Sequence, residues 1–212
     1  MPRTITSTVY TFDELSDRAK DKARAWFREG DSDADTSCTY EDAAQCAEIL
    51  GIDLRTRAAK LYGGGTRMDP CIYYSGFSSQ GDGACFEGSY SYAKGASKAI
   101  RAHAGTDTEL HRIADALQEL QRKHFYGLEA RMAHSGHYYH SGCMTVDVTE
   151  DRTGNDAPEE AREELTQLMR DFADWIYKQL ESEYDWRNAD AQVDESILAN
   201  ECTFDAEGRR EG

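Results

Sequence analysis

The chain has 212 residues, 39% hydrophobic and 30% charged, with a formal net charge of −16. That length and balance favour one substantial core and exclude a disordered chain. The negative charge disfavours direct contact with nucleic-acid phosphates or an anionic membrane.

In chain order, residues 4–10 (TITSTVY) alternate loosely and predict a short strand or extended arm. Thr11-Phe12-Asp13-Glu14 fits a capping box, and Phe12, Leu15, Ala19, Ala23 and Trp26 follow at spacings of three and four, predicting a helix that ends near Gly30. After the polar DSDADTS, a second helix is expected from Tyr40 to Leu50, with Ala43, Cys46, Ala47 and Leu50 buried and Gly51 as the left-handed stop. Ile52 to Leu61 reads as a strand before the Gly63-Gly64-Gly65 loop. The stretch IYYSGFSSQGDGACFEGSYSY, Ile72 to Tyr92, predicts a hairpin turning at Asp82-Gly83, with Cys85 to Tyr90 as its second arm.

A short helix (Lys94 to Ala104) and a longer one capped near Asp107 or Thr108 come next, the latter with Leu110, Ile113, Leu117 and Leu120 on one face. A second hairpin pairs Leu128–His134 with Met144–Val148 around SGHYYHSG. Asp156 and Pro158 open the last long helix, whose core stripe is Leu165, Leu168, Met169, Phe172, Ile176 and Leu180. A short helix, Asp190 to Leu198, leads to Glu201–Asp205. The expectation is a single α+β domain over 1–212, an antiparallel sheet built from two hairpins with helices packed on one face. Its acidic helical C-terminal part is 156–200, and the tail 206–212 is expected to fray.

The acidity is concentrated late in the chain. Residues 150–212 hold 19 acidic and 7 basic residues, a net of −12, which leaves 21 and 17, a net of −4, before them. The start, MPRTITSTVYTF, has no apolar run or cleavage site, and no stretch approaches the roughly 20 apolar residues of a membrane span. The six cysteines are scattered without a CxxC pair, which fits reduced thiols and argues against a cysteine-built structural zinc site. A cytoplasmic protein is expected.

Three patterns bear on chemistry. Gln80 and Gly83-Ala84-Cys85-Phe86 resemble the nucleophile region of papain-like cysteine proteases. However, Gln80 is one residue too close to Cys85, Asp82 stands at the half-cystine position, and a strand follows where that family opens a helix. Cys85 is therefore the alternative catalytic residue, and the leading expectation is no catalytic residue at all. Neither GDGACFEG nor GGGTR ends as a phosphate-binding loop does, and no cofactor is expected. His134, His137 and His140 crowd one turn-rich segment and are the alternative metal ligands, with Cys143 or a carboxylate as a further donor. The carboxylate pairs Asp147/Glu150 and Glu159/Glu163 read as surface charge.

The segments DELSDRAKDKARAWFREG, YYSGFSSQGDGACFEGSYSYAKG, HSGHYYHSGC and MRDFADWIYKQLESEYDW together resemble a family of small bacteriophage and prophage accessory proteins, loosely labelled antitoxin-like. The resemblance spans most of the chain and implies a product that counters host immunity or toxins by binding. It carries over no catalytic residue. The expected function is a non-enzymatic inhibitor or modulator of a bacterial host protein, such as a CRISPR complex or a toxin, acting in the host cytoplasm. The expected partner has a basic surface, with homodimerisation left open. One expected binding surface is the acidic helix carrying Asp171, Asp174, Glu181, Glu183 and Asp185, a nucleic-acid mimic. The other is the aromatic hairpin pair with Tyr73, Tyr74, Tyr138 and Tyr139. Direct nucleic-acid binding is disfavoured, although Lys94, Lys98 and Arg101 make one helix locally basic. The rival reading is a hydrolase using Cys85 or the histidine loop.

Overall fold

The structure, a computed structural model, describes residues 8–30, 36–61 and 63–211. Of the arm at residues 4–10, all but the last three residues lie outside the described residues. In chain order the elements begin with β1 (Tyr10–Thr11), a 3₁₀ turn (Phe12–Glu14), α1 (Asp17–Gly30), α2 (Ser37–Leu50), β2 (Ile52–Leu54) and β3 (Thr56–Lys60). There follow β4 (Thr66–Pro70), β5 (Ile72–Tyr74), β6 (Ala84–Phe86), β7 (Gly88–Tyr90), α3 (Ala96–His103) and α4 (Thr108–Lys123). The chain continues through β8 (Leu128–His134), a 3₁₀ turn (Ser141–Cys143), β9 (Met144–Glu150), α5 (Glu159–Asn188), α6 (Asp190–Ala199), β10 (Thr203–Phe204) and β11 (Arg210–Glu211). The fold class is α+β, with every strand pair antiparallel. No helix among the described residues is long and apolar enough to cross a membrane.

The chain divides into two compact units, one formed by 36–181 and the other by 1–35 with 182–212. The larger unit holds a four-stranded sheet in the order β2-β7-β8-β9. Its register puts Ile52, Tyr90, Ala130 and Val148 side by side, and all four are buried. One residue along each strand, Asp53, Ser89, Arg131 and Asp147 form the matching row, and all are exposed. Because side chains alternate faces at a period of two, this fixes one face on the core and one in water. The core face packs with the predicted stripes of α2, α4 and α5 in one cluster. Phe86 meets Phe172 edge-on at 5.6 Å, and Phe172 stacks on Trp175 at 5.5 Å.

The helix ends follow their local chemistry. Gly51 ends α2 with φ +88°, where its N–H reaches the Ala47 and Glu48 carbonyls. Asp107 caps α4, its Oδ1 accepting from the N–H groups of Glu109 and Leu110 at 3.1 and 2.9 Å. Its other oxygen accepts from the Trp175 indole at 2.7 Å, so one carboxylate both caps α4 and anchors α5. Asp156, expected to cap α5, instead bridges to Thr149 beside β9. Where one strand was expected from Cys85 to Tyr90, the chain makes two. Glu87 lies between β6 and β7, donating to the Cys71 carbonyl and accepting from the Arg55 N–H, so β6 pairs only with β5 and β7 joins the larger sheet. The two-residue turn expected at Asp82-Gly83 is a wider loop, because Tyr74 pairs with Ala84.

The smaller unit has its own core of Phe12, Leu15, Ala19, Ala23, Val193, Ile197, Cys202 and Phe204. The Thr11–Glu14 pair is made, the Glu14 carboxylate accepting from the Thr11 N–H at 2.8 Å, but it closes only the 3₁₀ turn. Leu15 is extended, and α1 starts anew after Ser16, whose hydroxyl accepts from the Ala19 N–H at 3.4 Å. Arg24 forks onto the Asp194 carboxylate at 2.7 and 2.8 Å, joining α1 to α6. The tail expected to fray doubles back: the Asp205 carboxylate takes the N–H groups of Glu207 and Arg209, and β11 pairs with β10.

Candidate functional site

The two predicted hairpins end in loops that lie against each other. In the first, between β5 and β6, the Asp82 carboxylate accepts from the N–H groups of Ser78 and Ser79 at 2.9 and 2.6 Å, which stiffens the tip. In the second, between β8 and β9, His134 Nε2 lies 2.9 Å from the Tyr138 carbonyl. A carbonyl only accepts, so this contact places the proton on Nε2. The Ser75 hydroxyl donates to the Tyr139 carbonyl at 3.3 Å, linking the loops. A Cβ on Gly83 would lie 2.6 Å from His140 Cβ and 2.9 Å from its Cα, so this close approach needs glycine.

Aromatic rings fill the join. Tyr73 stacks on Tyr139 at 5.6 Å, and both rings lie beside His134, at 5.7 and 5.2 Å. The Arg57 guanidinium sits 5.0 Å over Tyr73. Tyr74 belongs to a second stack that runs through Phe77 to Tyr177, whose hydroxyl donates to the Gly76 carbonyl at 3.1 Å. Three of the four predicted tyrosines are thus half-buried in packing. The fourth, Tyr138, is 71% exposed.

Cys85 is 0% exposed, and burial pushes its thiol up to about 12, with Cys143 and Glu87 adding to the shift. A neutral thiol shut from solvent is no nucleophile at ordinary pH. The thiol that meets a histidine is Cys143, half-buried, with Sγ 3.0 Å from His140 Nε2. His134 and His140 are spent on different partners and His137 is exposed, so the three histidines do not form a ligand set. Among the described residues, the three-donor cluster is elsewhere, at Asp42, Cys46 and His103. The i,i+4 spacing of Asp42 and Cys46 on α2 was readable, but His103 comes from α3 and needs the tertiary fold.

The acidic residues of α5 fall into two groups. Asp171, half-buried, is bound by Arg112 and by the Gln167 amide, while Asp174 is exposed and Glu181 half-buried, all in the larger unit. Glu183, held by Arg187 at 2.6 Å, and exposed Asp185 belong to the smaller unit. Lys98 and Arg101 lie on α3, where Arg101 forks onto Asp115 at 3.0 and 2.6 Å. That neutralises part of the locally basic patch.

The larger unit is an α+β domain whose antiparallel sheet has one face on the core and one in water, with two aromatic loops packed against each other. A family model described as a domain of unknown function, DUF8835, matches residues 36–190, and the chain belongs to that family. The matched segment contains the whole of the larger unit. No curated protein and no solved structure matches the chain.

Proposed function

We propose that the chain is a non-enzymatic binding protein, a phage or prophage product that modulates a bacterial host protein such as a CRISPR complex or a toxin in the host cytoplasm. The phage origin rests on the resemblance of the hairpin and helix segments. The binding role rests on Tyr138, an exposed ring on a loop whose base is fixed by the His134–Tyr138 and Ser75–Tyr139 bonds and by the Tyr73–Tyr139 stack. An aromatic side chain on a fixed backbone has only two rotatable bonds to order on binding and makes an efficient anchor. The burial of Cys85 weighs against the hydrolase reading. The acidic residues of α5 supply charge complementarity to a basic partner and speed the encounter.

The experiment is nuclease-treated copurification of the tagged chain from bacterial lysate at low and high salt, with the captured protein then purified for titration. One stoichiometric host protein is expected, bound at least about 30-fold more weakly by Tyr138→Ala, the loss typical of a hot-spot residue. Exchanging Asp174→Asn with Glu181→Gln is expected to slow association and lower its salt dependence while leaving dissociation nearly unchanged. Capture of nothing, or of a protein that Tyr138→Ala binds equally well, overturns the assignment.

A further inference from the structure

We propose that Asp42, Cys46 and His103 form a binding site for one divalent cation of the zinc class, with a fourth coordination position open to water. Asp42 and Cys46 sit one helical turn apart on α2, so their side chains share a face. His103 is the last residue of α3, and its Nε2 lies 3.2 Å from Asp42 Oδ1. All three donor atoms fall within 4.8 Å of one another. Four-coordinate zinc, with bonds of about 2.0–2.3 Å, needs donors about 3.3–3.8 Å apart. The Asp42–His103 pair, at 3.2 Å, falls just short of that range. The Cys46 sulfur lies within 4.8 Å of both other donors, and closing on it takes a change of rotamer in the solvent-exposed Asp42 and His103 side chains.

The environment suits a cation. Cys46 is 1% exposed, among the apolar residues of the larger core, whereas the His103 and Asp42 side chains are 25% and 57% exposed. The sulfur thus closes the inner side of the site and solvent reaches the outer side, the three-ligand pattern that leaves room for a water. Sulfur and imidazole together select zinc-like ions over magnesium or calcium, which take oxygen ligands.

Binding is a proton-balanced exchange without redox change. The Cys46 S–H bond breaks as the metal–sulfur bond forms, and that proton leaves to the buffer. In the metal-free site the His103 Nε2–H faces the acceptor-only Asp42 carboxylate, so binding moves that proton to Nδ1 and frees the Nε2 lone pair, while Asp42 binds as carboxylate. The net release is one proton per metal.

The test uses cobalt(II) titrated into the full-length chain, since a thiolate on cobalt gives a near-ultraviolet charge-transfer band and four-coordinate cobalt gives intense visible bands. One equivalent is expected to develop both, with zinc displacing cobalt and one proton released to an indicator dye. Cys46→Ser removes the charge-transfer band. His103→Ala, at a partly exposed helix end where folding tolerates it, weakens binding by more than about tenfold. Cys143→Ser, which removes the other cysteine–histidine contact, leaves the spectrum unchanged. Absence of the band at one equivalent, its survival in Cys46→Ser, unchanged affinity in His103→Ala, or its loss in Cys143→Ser each overturns the assignment. None of these readouts passes through a partner protein, so this site and the binding role stand or fall separately.

Discussion

Gly83→Ala tests whether the two hairpin loops are joined in solution. The added methyl would lie 2.6 Å from His140 Cβ and 2.9 Å from its Cα, about 1 Å inside the usual carbon–carbon separation of roughly 3.5–4.0 Å. Both opposing atoms belong to or adjoin the backbone, so no rotamer change relieves the contact and one loop must move off the other. Overpacking of this kind costs about 1–3 kcal/mol. The backbone at Gly83 is outside the left-handed region, so alanine also restricts the unfolded chain and returns about 0.4–1 kcal/mol. The net expectation is a loss of about 1–2 kcal/mol. The assay is urea unfolding followed by Trp175 fluorescence, with Trp26→Phe and Trp186→Phe in the background so that the larger unit alone reports. The midpoint should fall at unchanged slope. Gly76→Ala is the control, since its methyl would stand 3.4 Å from the Asp82 carboxylate, close to ordinary contact. If Gly83→Ala matches that control or exceeds wild type, the loops are not packed as described.

Two further outcomes test the core. Gln121 is 0% exposed, and its amide donates to the Leu128 carbonyl at 2.7 Å while accepting from the Leu128 N–H at 3.2 Å. Gln121→Leu strands both groups and should cost about 2–5 kcal/mol in the same unfolding assay, and a loss below about 0.5 kcal/mol would show that water replaces the amide. The Cys85 thiol titrates at about 12 when folded and at about 8.5 when unfolded. Between those values the unfolded chain holds fewer protons than the folded one, so the contribution is complete below about pH 8.5 and is lost as pH rises, by about 1.4 kcal/mol per pH unit. Cys85→Ala should flatten the alkaline stability slope by one proton between about pH 9 and 11, and an unchanged slope would contradict burial of that thiol.

Elements with an apolar period were readable in advance. The α2 stripe of Ala43, Cys46, Ala47 and Leu50 is buried as its spacing requires, and Asp107 caps α4 as its position suggests. The strand expected over Ile52 to Leu61 forms as two, β2 and β3, but the pairing of β3 with β4 as a ribbon carried no such signal. TRAAK and TRMDP lack alternation because almost every residue of the ribbon is exposed or half-exposed on both faces. Burial pattern reports packing, and where little packs it is silent. The doubling of the tail was signalled only by Asp205 and Gly208, turn residues inside a charged run. The same limit applies at the site. Tyr73 and Tyr139 stood out as aromatic residues near hairpin tips, but their stacking depends on two loops 64 residues apart meeting at Ser75 and Tyr139. Local pattern identifies such residues without identifying which of them stays exposed, and here packing consumed three tyrosines and left Tyr138.

Charge density decides between the two proposed binding surfaces. Duplex DNA presents one negative charge per about 1.7 Å of axis, so about 10 Å of duplex carries roughly six. Of the α5 carboxylates expected to bind, Asp171 shares Arg112 with Glu109, and Asp174 and Glu181 are the others in the larger unit, with Lys178 between them. Seven residues apart at about 1.5 Å per residue, they place two charges over about 10 Å. That is about a third of the duplex density, too sparse for this stretch to substitute for phosphates in a basic groove. Two charges at that spacing do steer an encounter, since at physiological salt they lie only slightly beyond the screening length of about 8 Å. On the proposed binding role, affinity comes chiefly from desolvated contact, and exposed Tyr138 is the candidate to make it. Salt should therefore act on the association rate of the complex, and loss of the Tyr138 ring on its lifetime.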